Sequence, residues 1–229
     1  MEFLLHGFVT ALELLITGND EAYSAIFATI KVSSFSIVVS LVLGIPLGFI
    51  LGYAEFPGRK ACRTVSDSLL ALPTVVVGLL VFAFISRKGP LGELGLLFTI
   101  PGIVIGQTIL ALPIVVSLTA SAIESLDPRL RMTLLTLGAN SRQLALTSLR
   151  EGLFAVVAAS VTAYGRIISE VGVSMMLGGN IKWYTRTITT AMALETGKGE
   201  FALGLALGLV LLFLAFAVNI LLSMLKARA

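Results

Sequence analysis

Residues 32–54, VSSFSIVVSLVLGIPLGFILGYA, run without a single charged side chain. About 20 predominantly apolar residues in a helix cross the ~30 Å hydrocarbon core of a bilayer, so this stretch is long enough to span one. Three further uncharged runs follow at 68–86, 94–123 and 201–225. A fifth stretch, 152–177, is equally apolar in length but carries Arg166 and Glu170 inside it. The reading is an all-α integral membrane protein, a single domain over 1–229, with five spans at about 27–53, 65–86, 98–124, 151–175 and 201–225.

The composition agrees. Of 229 residues, 57% are hydrophobic and 13% charged, against roughly 45–50% and about 25% in average soluble domains. The mean hydropathy is +1.01. High apolar content excludes low-complexity disorder. One cysteine, Cys62, excludes a disulfide scaffold, and one cysteine with one histidine, His6, cannot supply the four ligands of a structural zinc site. The net charge of +3 reflects membrane topology rather than a nucleic-acid footprint.

Basic residues set the direction. Arg59, Lys60 and Arg63 lie in loop 54–64, Arg129, Arg131, Arg142 and Arg150 in loop 125–150, and Lys226 and Arg228 in the tail. The other side holds Arg87, Lys88, Lys182, Arg186 and Lys198. Cytoplasmic loops carry the excess of Lys and Arg, which places the N-terminus outside and the C-terminus inside. The first 20 residues are too short and too polar to span, with Glu2, His6 and Glu13 interrupting their apolar face. They read as a short interfacial helix, with a tilted sixth span as the alternative.

Pro46, Pro73, Pro101 and Pro113 fall within the spans. Each removes a backbone hydrogen bond, which suits a moving body or a pathway better than a passive anchor. Gly44, Gly48 and Gly52, and again Gly204 and Gly208, form small-residue ladders. Such ladders serve packing within the chain or a dimer face.

Residues 125–150, SLDPRLRMTLLTLGANSRQLALTSLR, are the informative loop. Asp127 and Pro128 suit the cap and first position of a helix. Gly138 suits its left-handed end, and Asn140 caps a second helix. Two ordered helices are more than a connection between spans needs, and they point to a docking site for a cytoplasmic partner.

This segment resembles the cytoplasmic loop of the transmembrane permease subunits of binding-protein-dependent (type I) ABC importers. That loop reads Glu-Ala-Ala, three residues, Gly, nine residues, Ile-x-Leu-Pro. Gly138, within TLGANSRQLAL, fits the glycine. Met132, Thr133 and Leu134 replace the Glu-Ala-Ala, and Ser148, Arg150 and Glu151 stand where the Ile, Leu and Pro would be. Downstream, residues 163–193 resemble the matching segment of oxyanion permeases for molybdate, sulfate and especially tungstate, through Gly165-Arg166, Ser169-Glu170-Val171-Gly172, Gly178-Gly179-Asn180 and Thr185-Arg186-Thr187. The resemblance implies the type I permease fold and a multi-pass protein of the cytoplasmic membrane of a prokaryote. It implies a homodimer with two cytoplasmic ATPase subunits and an extracytoplasmic oxyanion-binding protein. Arg129, Met132, Thr133, Leu137, Gly138, Ala139 and Asn140 would contact the ATPase. ATP and magnesium would sit on that partner, with no cofactor, metal or catalytic residue on this chain.

Arg166 and Glu170 are four apart and share a helix face, so they can pair. Intramembrane charges face a bundle interior or a water-filled path, so the pair is either a structural unit or part of the pathway. Gly178, Gly179 and Asn180 suit either an anion-cradling backbone nest or a plain turn. The resemblance implies that this region forms the outer gate near the docked binding protein, which makes Ser174, Asn180, Thr185 and Thr187 candidates for neutral hydrogen bonds to a passing oxyanion. Trp183 and Tyr184 read as interfacial anchors. No G-x-x-x-x-G-K-[ST] phosphate loop occurs in the sequence. An ion-coupled secondary transporter would want inverted repeats and several intramembrane carboxylates, and only Glu170 lies firmly inside a span.

Overall fold

The computed structural model describes residues 8–10 and 20–228, with side chains to residue 220. The expected N-terminal interfacial helix therefore lies outside the described residues, apart from 8–10, which are helical. So do the side chains of Lys226 and Arg228. The described helices are α1 (Asp20–Tyr53), α2 (Arg59–Leu69), α3 (Thr74–Ile85), α4 (Ile100–Glu124), α5 (Pro128–Thr136), α6 (Ser141–Glu151), α7 (Leu153–Ile168), α8 (Gly172–Gly178), α9 (Ile188–Gly197) and α10 (Phe201–Arg228).

Helices α1, α4 and α10 are each long and apolar enough to cross a membrane. Two of the expected spans are broken. The stretch expected as one helix over 65–86 is α2 followed by α3, bent by 100°. Pro73 causes the break: it disfavours helix at the residue before it and stands at the N-cap of α3. The loop expected at 54–64 is in its second half the start of α2. The stretch expected over 151–175 is α7, then an interruption, then α8. Here Glu170 supplies a side-chain acceptor to the Val173 N–H, which a continuous helix would have bonded to a carbonyl. Helix α9 lies in a connection for which no helix was expected, and Thr187 and Thr190 close a capping box at its start.

Helix α4 is the hub. On one side it meets α1 through a small-residue seam at Ser36, Ser40, Gly44, Gly48 and Gly52. A Cβ at Gly48 would stand 2.6 Å from the Val116 carbonyl oxygen, and one at Gly52 2.6 Å from that of Ala120. Contact this close requires glycine, so the ladder packs within the chain. Gly204 and Gly208 also face the chain itself, against Thr196 and Met192 of α9, with a Cβ at Gly204 standing 2.5 Å from the Thr196 hydroxyl. On its other faces α4 packs against α7, through Ala111 and Val115 with Ala163, Tyr164 and Ile167. It also meets α3 and α8, through Leu110 with Val77, Val81, Val173 and Leu177. Ala25, Ile188, Ala191, Leu207 and Val210 join α1, α9 and α10.

Candidate functional site

The segment 125–150 is built by local rules. The Asp127 carboxylate accepts the Arg129 N–H at 2.9 Å and opens α5 with Pro128 at its first turn. Gly138 takes φ +80°, a conformation only glycine adopts freely. Its N–H donates to Leu135 O, and the Ala139 N–H donates to Leu134 O at 3.0 Å. That pair of bonds is a Schellman motif, and it closes α5. Asn140 and Gln143 then exchange side-chain and backbone bonds in a capping box that opens α6.

The two helices thus define themselves without help from the rest of the protein. None of the residues from Ser125 to Gln143 is buried. Arg129, Thr133 and Asn140 are exposed and Ala139 half-exposed. Met132 is 68% exposed and Leu137 77%. Large exposed apolar side chains on a helical hairpin are the kind of surface that protein–protein contacts cover.

The outer segment is built the opposite way. Ser174 is fully buried and accepts a hydrogen bond from Gln107 Nε2 at 3.1 Å. The Thr185 hydroxyl, also fully buried, donates to Gly178 O and accepts the Ile181 N–H. Thr187 caps α9, and the Ile188 N–H reaches across to Thr29 Oγ1 of α1 at 2.8 Å. Ser174, Thr185 and Thr187 were expected as donors to a passing anion; the structure engages their hydroxyls inside the chain. Gly178 packs so closely on Ile103 that a Cβ would stand 2.6 Å from it. Gly179, at φ +68°, lies under the Phe98 ring.

Asn180, Trp183 and Phe98 are the positive-φ residues other than glycine among those described. Two of the three flank this contact. Such conformations persist only where the surroundings over-determine them. Asn180 Oδ1 is buried and has no hydrogen-bond partner among the described residues. Beside this segment, Glu21 of α1 is paired with Lys182 at 2.6 Å and with Arg186.

Arg166 and Glu170 do pair, at 3.0 Å, but asymmetrically: the Glu170 side chain is 3% exposed and that of Arg166 44%. Glu170 is fixed by Arg166 and the Val173 N–H, and its backbone oxygen accepts from Thr189 Oγ1. Arg166 stands on the open face of α7. Between Ala155 and Ser169 that face consists of Ala155, Ala158, Thr162, Gly165, Arg166 and Ser169. The exposed face of α1 instead presents Phe27, Phe35, Val38, Val42, Leu43, Leu47 and Ile50. Lipid favours the second kind of surface. A small and polar face at membrane depth belongs against another helix or a water-filled path.

The structure therefore brings together Glu170, Ser174, Gly178, Gly179, Thr185 and Thr187 around α8, and keeps the candidate docking residues 129–140 apart on α5 and its flank. Gln107 and Thr189 were missed by the sequence reading. Gln107 lies in an uncharged span and carries no motif, and Thr189 is one of four threonines between 185 and 190. Only the fold distinguishes them.

A spanning helical bundle with an unburied helical hairpin on one side and a polar face at membrane depth is the build of a membrane transport subunit that works with a soluble partner. The chain belongs to the family of binding-protein-dependent transport system inner membrane components, whose pattern matches residues 44–229. It is 47% identical over 226 residues to the tungstate uptake system permease protein of Campylobacter jejuni, covering 99% of this chain and 95% of that one. It is 38% identical over 219 residues to the protein of the same name from Peptoclostridium acidaminophilum, covering 96% of each. Among solved structures, one chain of a bacterial alginate ABC transporter in complex with a pentasaccharide-bound periplasmic protein superposes with a TM-score of 0.78 at 20% identity, over 98% of this chain and 86% of that one.

Proposed function

We propose that this chain is the permease subunit of an ATP-driven importer that carries tungstate across the inner membrane. It works as a homodimer with two cytoplasmic ATPase subunits and an extracytoplasmic binding protein. It binds no cofactor and carries no ATP site of its own. The observation that carries the transport reading is the open face of α7, where Arg166 stands among Ala155, Ala158, Thr162, Gly165 and Ser169. In a dimer two such faces enclose a polar path. The near-full-length relatives that are tungstate uptake permeases supply the substrate.

The hairpin α5–α6 docks the ATPase through Met132, Thr133 and Leu137, flanked by Arg129 and Asn140, with Gly138 and Ala139 setting the angle between the helices. ATP binding closes the ATPase pair because nucleotide has different affinities for the open and closed states, and only that difference can shift the membrane part. Displacement of α6 passes directly into α7, from which it is separated by Gly152 and a 57° bend. At the far end of α7 the Glu170 break meets α8. The anion is released at the outer side near Gly178–Asn180 and travels the α7 face. The path offers Arg166 as a half-neutralised cation, which attracts an oxyanion without the tight binding that slows release. Ser174, Thr185 and Thr187 hold the outer segment in shape.

Reconstitution of the chain with the ATPase subunit and binding protein of its own system tests this. Tungstate uptake into proteoliposomes depends on ATP and on the binding protein, and tungstate outcompetes molybdate and sulfate. Uptake driven by an ion gradient without ATP contradicts the proposal. Uptake that prefers molybdate or sulfate overturns the substrate and leaves the class intact.

A further inference from the structure

Helix α2 is attached to the bundle through polar contacts. Ser66 is its one buried residue, so α2 has almost no apolar packing against the bundle. Arg59, Arg63 and Asp67 recur at intervals of four and form one ridge. Opposite them on α4 stand Glu124, Ser121 and Ser117. The two rows pair in antiparallel register. Arg59 Nη2 donates to Glu124 Oε1 at 2.7 Å. Arg63 Nη2 donates to the Ser121 hydroxyl, and its Nη1 to the Ser117 carbonyl at 2.8 Å. The Ser117 hydroxyl donates to Asp67. Arg59 also donates to the Leu51 and Gly52 carbonyls, at 2.8 and 3.0 Å, and so gathers the end of α1 into the same joint.

Position gives this zipper its meaning. Glu124 is the last residue of α4 and is separated from α5 only by residues 125–127, so whatever displaces the docking hairpin displaces Glu124. At its other end α2 passes through the 100° bend into α3. Helix α3 packs on α8, where a Cβ at Gly78 would stand 2.8 Å from Met176 Sδ and Val77 and Val81 share a cluster with Val173 and Leu177. Hydrogen bonds and partly exposed ion pairs can be broken and remade, whereas the glycine seam between α4 and α1 cannot slide without steric clash.

We infer that the Arg59–Arg63–Asp67 and Glu124–Ser121–Ser117 zipper is a positioning element that delivers movement of the docking hairpin to the α3–α8 outer segment, as a second route beside α6 and α7. It rests on the proposed ATP-driven import. Its residues touch no substrate and act through α3.

The test uses the full reconstituted transporter. The variant Glu124→Gln/Ser117→Ala loses the ion pairs of Glu124 with Arg59 and Arg63 and the Ser117 bond to Asp67, while Arg63 keeps the Ser117 carbonyl. Tungstate imported per ATP hydrolysed falls about ten-fold, the scale of a typical coupling free energy, with ATPase assembly and thermal midpoint close to the parent. Glu124→Asp with Ser117 intact restores at least about half of the ratio, because a negative charge still faces Arg59 and the Ser117–Asp67 bond remains. An unchanged ratio in the double variant overturns the inference, as does a fall in folded yield with an unchanged ratio among the folded molecules, which is what a merely structural joint would give. Failure of the parent protein to couple ATP to uptake would instead strike the proposed function itself.

Discussion

The hairpin at 125–150, proposed to dock the ATPase, and the outer segment at 169–190 are both short, polar-rich interruptions of an apolar chain, yet they are built by opposite rules. The hairpin satisfies its backbone by itself, through the Asp127 cap, the Schellman motif at Gly138 and the Asn140–Gln143 capping box, and leaves the side chains from Ser125 to Gln143 unburied. The outer segment satisfies its backbone through buried hydroxyls, two of them within the segment and one on another helix. Glu170 is held by Thr189, Gly178 by Thr185, and Ile188 by Thr29 of another helix. One region keeps its shape with its surface free for a partner. The other keeps its shape only while the bundle around it does. The difference separates two kinds of mutational effect: fold damage at the outer segment and loss of partner contact at the hairpin.

The largest effect expected is at Glu170. Glu170→Ala strands Arg166 without its anion and leaves the buried Val173 N–H without an acceptor, and breaking a pair in which both charges are buried costs about 3–5 kcal/mol. The half-exposure of Arg166 places the expected value at the lower end. Thermal unfolding in detergent, read by the fraction remaining monodisperse, measures it. A variant that melts like the parent would erase the contrast between the two regions.

Thr185→Val comes next. It removes the donor to Gly178 O and the acceptor for the Ile181 N–H, leaving buried groups unpaired at about 1–3 kcal/mol. The same melting assay detects it, and uptake per folded molecule stays near the parent. A large loss of uptake at normal stability would return Thr185 to the translocation path.

Gly138→Val sharpens the other half. Nothing stands within 4 Å of a Cβ there, so the penalty is purely conformational, about 1–2 kcal/mol for forcing a side chain into the left-handed region. It distorts the hairpin angle while the spans remain intact. ATP hydrolysis persists and uptake is lost. Full uptake by this variant would remove the hairpin angle from the mechanism.

The smallest effect on stability is at Leu137. Leu137→Ser lies within about 0.5 kcal/mol of the parent, as exposed surface changes do. Copurification of the ATPase subunit nevertheless falls sharply. Retention of the partner at parental levels would place the contact elsewhere on the hairpin.

Much of this was readable in the residues themselves because it depends on local chemistry. Uncharged runs reveal the spans, and Asp127-Pro128, Gly138 and Asn140 announce the hairpin without reference to any other part of the chain. The breaks were less legible. Apolar content predicts a span at 65–86, but the chain bends by 100° at Pro73, whereas Pro46 and Pro113 sit inside continuous helices, so a proline in an apolar run does not by itself announce a break. Helix α2 carried a signal in the four-residue spacing of Arg59, Arg63 and Asp67, masked by its reading as a loop on charge alone. Ser174, Thr185 and Thr187 have the chemistry of anion donors, and only their burial and their internal partners separate that role from a structural one. Arg166 and Glu170 look equivalent in sequence, whereas the fold buries one and exposes the other.

The placement of the hairpin inside the cell carries the rest, and a membrane-impermeant maleimide tests it most directly. With Cys62 replaced by serine, cysteine is introduced at Leu137 in one variant and at Trp183 in another. Leu137→Cys should label in inverted vesicles, be protected there by added ATPase subunit, and stay unlabelled in spheroplasts, where Trp183→Cys labels readily. Labelling of Leu137→Cys from outside intact spheroplasts would place the hairpin on the wrong face of the membrane and contradict the coupling mechanism.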